Sequence, residues 1–213
     1  MRGLKLCRIL SVGLVASCGP GADVEPLPRP EIRPFVLNDG NRSTQAPDPD
    51  GRLEDIDKRT YGSIGAPEHG RWTALFFVRT DCPISNQYAP EIRRICGDYG
   101  EQGVGCFLVY IDPSITADDV REHAGEYGHT LPAILDSDHR WAARAGATIT
   151  PEVAVFSEGA RLEYRGRIDN LYAGLGRPRR QVTEPDLRNA LDELVAGRAV
   201  SRPVTEATGC YIE

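Results

Sequence analysis

The chain has 213 residues, with 25 basic against 31 acidic side chains, a formal net charge of −6 and 40% apolar residues. An acidic balance of this kind carries no electrostatic footprint for nucleic acid or for an anionic membrane surface. Once the terminal segments are set aside, about 150 residues remain, which fits one domain, and no internal repeat is visible.

The chain opens with Arg2, Lys5 and Arg8 and then an apolar run from Ile9 to Cys18. A basic start, a short apolar core and small residues at a cleavage point form a secretory signal peptide over residues 1–17. The core is too short to span a bilayer comfortably. Val15-Ala16-Ser17-Cys18 resembles a bacterial lipobox, which makes Cys18 the lipidation site. Simple cleavage near Ala16 is the alternative. Residues 18–50, with Glu25-Pro26-Leu27-Pro28-Arg29-Pro30, read as an extended Pro/Gly-rich tether. Residues 1–17 hold three basic and no acidic residues, so without them 22 basic face 31 acidic residues, a net of −9.

The folded part is expected over 51–198, followed by a tail, 199–213. Trp72 to Val78 is an apolar run suited to a buried strand, and Pro83 to about Tyr99 has helical spacing at Ile84, Tyr88, Ile92 and Ile95. Pro90 inside that helix should kink it. Val104 to Ile111 predicts a second buried strand. Thr116 opens a helix toward Tyr127, with Asp118 and Asp119 in its first turn. Leu131 to Leu135 predicts a short strand, and Asp138 caps a short helix through Arg144. Glu152 to Phe156 and Leu162 to Ile168 predict a hairpin across Glu158-Gly159. The last helix starts at Thr183-Glu184-Pro185-Asp186, buries Leu187, Leu191, Leu194 and Val195, and stops at Gly197.

Between the first strand and the first helix stands Thr80-Asp81-Cys82-Pro83-Ile84-Ser85. Proline is tolerated in a helix's first turn, where its missing N–H has no partner to lose. The strand therefore delivers the Cys82 sulfur to a helix N-terminus, where free amides and the helix dipole favour the thiolate. Cys82 reads as a reactive nucleophile.

Cys82-Pro83-Ile84-Ser85, followed by Ala89-Pro90-Glu91-Ile92, resembles the Cys-Pro-x-Cys segment of the thioredoxin superfamily in its exported redoxin branches. The departure is Ser85, where the resolving cysteine would stand. The chain also resembles the alkyl hydroperoxide reductase/thiol-specific antioxidant group. That group usually has a threonine three residues before its cysteine, and Thr80 is only two before Cys82. A second matching segment is Thr150-Pro151, just ahead of the Glu152–Phe156 strand. The resemblance, covering about residues 50–198, implies a cis peptide there, facing the cysteine and pairing with an extended substrate segment. It implies a thioredoxin-like α/β/α sandwich with a mixed central sheet and a redoxin-type strand-helix insert. Its Thr80, Pro83, Thr150 and Pro151 would line the site, and Ser85 would donate to the Cys82 thiolate. No cofactor and no resident metal are expected.

With Cys7 and Cys18 set aside, four cysteines remain, and four allow three pairings. Cys82 and Cys96 lie about 20 Å apart along a continuous helix, at about 1.5 Å per residue, which excludes a bridge between them. Cys96 and Cys106 fall at the remote end of the sheet, as a structural disulfide or as two buried free thiols. Cys210 has enough tail behind it to return to Cys82. It is then the resolving cysteine missing at position 85, or a partner of Cys82 in a resting disulfide, or else an idle thiol in a docked apolar tail.

The leading expectation is an exported, lipid-anchored thiol oxidoreductase of the bacterial cell envelope. It would act on protein thiols or disulfides or on a peroxide, and a reducing partner protein would regenerate it. Arg79, Arg165 and Arg167 are candidates for a charge beside the sulfur, with solvated strand-end charges as the plainer expectation. The alternative classes are a copper module using Cys82, Cys210 and His139 on the same fold, and a redox-inert binding domain. His69, His123, His129 and His139 lack ligand spacing and are expected at the surface.

Overall fold

The computed structural model describes residues 51–66 and 70–213. The signal segment, Cys18, the tether and His69 lie outside them. Two short strands, β1 (Arg52–Glu54) and β2 (Thr60–Ser63), pair antiparallel ahead of β3 (Trp72–Val78). Every residue of β3 is buried, because side chains alternate between two faces and both faces are covered. Trp72, Ala74, Phe76 and Val78 point into one core, while Leu75 and Phe77 point into the other.

After β3 come α1 (Pro83–Gly100), β4 (Val104–Tyr110), α2 (Ala117–Tyr127), β5 (Ala133–Leu135) and α3 (Arg140–Ala145). Then follow β6 (Ile149–Thr150), β7 (Glu152–Ser157), β8 (Arg161–Gly166), α4 (Asp186–Val195) and β9 (Cys210–Tyr211). The central sheet has the order β5-β4-β3-β7-β8, with β3, β4 and β5 parallel and β7 and β8 antiparallel. Helices α1 and α4 pack their apolar stripes (Ile84, Tyr88, Ile92, Ile95; Leu187, Leu191, Leu194) on one face. Trp141 and Ala142 of α3, with Leu53 and Ile64, cover the other. Each large apolar side chain buried this way contributes about 1.5–3 kcal/mol. The result is the thioredoxin-like α/β/α sandwich, with α2 and β5 extending the sheet beyond β4. Pro90 lies inside α1, which continues unbroken to Gly100.

One local expectation holds and another changes. Thr116 caps α2 through a reciprocal box with Asp119, as the sequence suggests. At α3, however, the capping carboxylate is Asp136 and not Asp138. His139 occupies the N-cap position in the left-handed region, φ 56°. That bend turns the first amides of α3 back toward the end of β5. Trp141 N donates to Asp136 at 3.0 and 3.1 Å, and Ala142 N donates at 2.9 Å. Asp138 reaches only the Arg140 amide, at 3.4 Å.

Asp136 is fully buried, so its removal leaves two buried donors without acceptors. Asp136→Ala is expected to lower stability by about 1–3 kcal/mol, read as a fall in the urea midpoint. Asp138→Ala, at an exposed position, should leave that midpoint within a few tenths of a kcal/mol.

Candidate active site

Four residues past the end of β3 the chain reaches Cys82, the N-cap of α1 (φ −90°, ψ 108°), with Pro83 as the first helical residue. The sulfur is placed at the helix start as the sequence predicts, yet Cys82 is fully buried. The approach loop is clamped by side chains from two other elements. Asn86 Nδ2 donates to the Thr80 carbonyl at 2.9 Å, so Asn86 Oδ1 is left to accept from His123 Nε2 at 2.9 Å. His123 Nδ1 then accepts from the Tyr110 hydroxyl at 3.0 Å. This chain fixes a neutral tautomer, and burial pushes the His123 pKa down. His123 is thus a buried structural residue, contrary to the surface position expected. His129, stacked 6.1 Å from it, is lowered by burial to about 4.

The opposite wall is the Thr150–Pro151 peptide, which is cis, as the resemblance implied. The buried Glu152 carboxylate holds this turn. Its Oε2 accepts from Thr148 N at 2.8 Å and Ile149 N at 3.2 Å, and Arg165 Nε stands 3.6 Å from its Oε1. The Cys82 thiol donates to the Thr150 carbonyl at 3.2 Å.

Beside that wall runs the C-terminal tail. β9 pairs antiparallel with β6, with Ile149 opposite Tyr211 and Thr150 opposite Cys210. Ile212 N donates to Thr148 O at 2.9 Å, and the Thr150 hydroxyl donates to Cys210 O at 3.4 Å. The register brings the Cys210 thiol close enough to Cys82 for the two free thiols to shift each other's acidity. Their acidities diverge. Burial pushes Cys82 up, but the Cys210 thiol, the Ser85 hydroxyl and amide, and the Thr150 side chain outweigh it and hold Cys82 below an ordinary thiol. Burial, and then the Cys82 contact, push Cys210 up to about 11. Cys82 is thus the more acidic of the two sulfurs and Cys210 the less acidic.

The remaining candidates sort by position. Ser85 is buried facing the sulfur, although its hydroxyl completes no hydrogen bond of ordinary geometry. Thr80 acts through its carbonyl, and Pro83 is exposed at the helix start. Cys96 and Cys106 are buried and in mutual contact. That contact, with burial, pushes the Cys96 thiol far up, so Cys96 stays in the unreactive thiol form at neutral pH. The Arg79 charge is felt at Cys210, but Asp81 grips the guanidinium at 2.9 and 3.0 Å. Arg167 is paired with Asp186 and Glu184.

The copper set does not assemble. His139 Nε2 is bonded to the Ile111 carbonyl at 2.6 Å, and among the described residues no three His, Cys, Asp or Glu side chains stand as a metal cluster. Sequence reasoning missed Asn86, His123 and Tyr172. The Tyr172 hydroxyl donates to Gln87, and its pKa is raised by burial and by Cys82. None of these carried a motif; only the helical position of Asn86, one turn past Cys82, hinted at a role.

A profile of the AhpC/TSA family matches residues 43–166. The chain belongs to the AhpC/TSA family. No curated protein matches it. Among solved structures it is similar to a hypothetical protein from Sinorhizobium meliloti, at 25% identity and TM-score 0.64, over 76% of this chain and 88% of that one. It is likewise similar to an uncharacterized conserved protein from Geobacillus kaustophilus, at 24% identity and TM-score 0.62, over 76% and 87%. A putative thioredoxin from Neisseria meningitidis shares the fold at 19% identity and TM-score 0.50, over 68% and 85%. Membership of the AhpC/TSA family gives the protein a thiol redox role.

The acidity of Cys82 is directly testable in Cys96→Ser/Cys106→Ser protein, where alkylation reports the dithiol. The rate of Cys82 modification by iodoacetamide should rise with pH through a midpoint below the ~8.5 of a free cysteine. Ser85→Ala removes a group that favours the thiolate, so its midpoint should move up; a midpoint that moves down contradicts the assignment.

Proposed function

We propose that the protein is a two-cysteine thiol oxidoreductase in which Cys82 is the nucleophile and Cys210 the resolving thiol. The observation that supports this reading is the β6–β9 register, which opposes Cys210 to Thr150, the residue whose carbonyl accepts from Cys82. The tail replaces, from the far end of the chain, the cysteine absent at Ser85. The Cys82 thiolate attacks the sulfur of a disulfide or the terminal oxygen of a hydroperoxide. The S–S or O–O bond breaks, and the thiolate or alkoxide that leaves takes up a proton. Cys210, as a thiolate, then attacks the Cys82 sulfur and expels the second thiolate or, from the sulfenic acid, hydroxide that becomes water. Either route ends in a Cys82–Cys210 disulfide, and a reducing partner returns both thiols.

The N-terminal segment supports export, with Cys18 as lipid attachment point, to the bacterial cell envelope, where disulfides persist. The Cys96–Cys106 contact is then a candidate structural bridge.

The test is thiol mapping by mass spectrometry before and after one equivalent of hydrogen peroxide or of a small disulfide. Wild type is expected to form Cys82–Cys210. Cys210→Ser is expected to stop at a Cys82 sulfenic acid or mixed disulfide, with multiple-turnover activity falling at least about tenfold, a barrier increase of about 1.4 kcal/mol. A Cys82 that remains an unmodified thiol under both oxidants rules the reading out.

A further inference from the structure

The edge of β6 carries one row of backbone groups, and a single strand satisfies it. In this protein that strand is its own tail. An extended polypeptide that reaches Cys82 along the same edge must first displace β9. The two halves of the tail are held very differently. Upstream, Arg165 N donates to Pro203 O at 2.9 Å and Thr205 N to Arg165 O at 3.0 Å. The buried Thr205 hydroxyl is bonded to the Tyr164 hydroxyl at 2.7 Å and to Arg167 N at 3.1 Å. Downstream, residues 206–208 have no regular structure. β9 itself is two residues long, and Tyr211 is 70% exposed. A two-residue ladder at the end of a tail, beyond a firm anchor, is where local opening is cheapest.

Gly209 shows how closely the downstream half must approach. A Cβ on it would lie 1.9 Å from the Thr150 carbonyl oxygen, which is backbone and cannot yield. The closed position therefore admits glycine alone, while Ile212 lies partly buried on the core of the opposite sheet face and latches the end.

We propose that residues 206–212 form a hinged selectivity gate over Cys82, anchored at Thr205 and closed through Gly209, which bars extended polypeptides from the Ile149–Thr150 edge while admitting small oxidants. The proposal rests on Cys82 being the nucleophile. A small oxidant needs the tail to lift from the sulfur only; a polypeptide needs the whole ladder vacated.

The experiment uses the full chain, reduced, as wild type and as Gly209→Val. Two oxidants share one leaving group: hydroxyethyl disulfide, and a ten-residue unstructured peptide whose cysteine is capped with 2-mercaptoethanol. In each, Cys82 attacks one sulfur, the S–S bond breaks, the thiolate released takes up a proton, and a mixed disulfide forms. Loss of the Cys82 thiol is followed by quenched mass spectrometry. The peptide-to-small-disulfide rate ratio is expected to rise about tenfold or more in Gly209→Val, a tenfold change corresponding to about 1.4 kcal/mol. An unchanged ratio with a reactive Cys82 overturns the gate alone. A Cys82 inert to both oxidants in both proteins overturns the nucleophile reading, and the gate with it. Amide exchange on the wild type is independent of whether the variant folds. Ile212 N, bonded to Thr148 O, is expected to exchange orders of magnitude faster than Phe76 N in β3; equal protection overturns the gate.

Discussion

Thr150 is the residue on which the site turns. Its carbonyl accepts the Cys82 thiol, its backbone pairs with Cys210, and its hydroxyl bonds to the Cys210 carbonyl. Three parts of the chain, separated by 60 to 68 residues in sequence, meet at one fully buried peptide unit. A backbone group can do this where a side chain cannot, because its direction is set by the strand and costs no rotamer entropy. The same close approach explains why residue 209 is glycine.

That peptide unit is only as well placed as what supports it, and the support is polar. Glu152 is buried, and burial raises its carboxyl above the ordinary value even against its partners. Two amides and Arg165 oppose that and tie the turn to α3 through the Gly146 carbonyl, which accepts from Arg165. On the other wall, Asn86, His123 and Tyr110 connect the Cys82 loop to β4 and α2. Every nitrogen and oxygen in that relay has a partner, as buried polar groups require. One wall is thus tied to β8 and α3, and the other to β4 and α2.

How much of this is visible in the sequence depends on how local the cause is. β3, α1, β4 and the closing hairpin are written in runs of apolar residues with the right period, and Cys82-Pro83 marks the helix start by itself. The cis peptide at Thr150–Pro151 came from the resemblance, since a Thr-Pro pair alone specifies no isomer. Asp136 was missed because its claim on the α3 amides arises from His139 turning left-handed, which shifts the helix start away from the nearer Asp138. His123 looked like a surface residue because its burial comes from Tyr110 and Asn86, 13 and 37 residues away. The return of Cys210 was legible only as a length of tail sufficient to span the distance; the β6–β9 register is tertiary information.

The asymmetry between the two thiols has a direction built into it. In a Cys82–Cys210 disulfide, the better leaving group is the sulfur with the lower thiol pKa, and that is Cys82. It is also the sulfur with no solvent exposure, whereas Cys210 is only half-buried, beside the exposed Tyr211. Access and leaving-group ability therefore agree. On the proposed reading, an incoming thiolate attacks Cys210 and Cys82 departs already ionised. In the oxidising half-cycle the order is reversed, and Cys82 acts first. The tail covers Cys82 and leaves Cys210 as the half-buried sulfur nearer solvent. The protein would take electrons at its C-terminus and deliver them at the helix start.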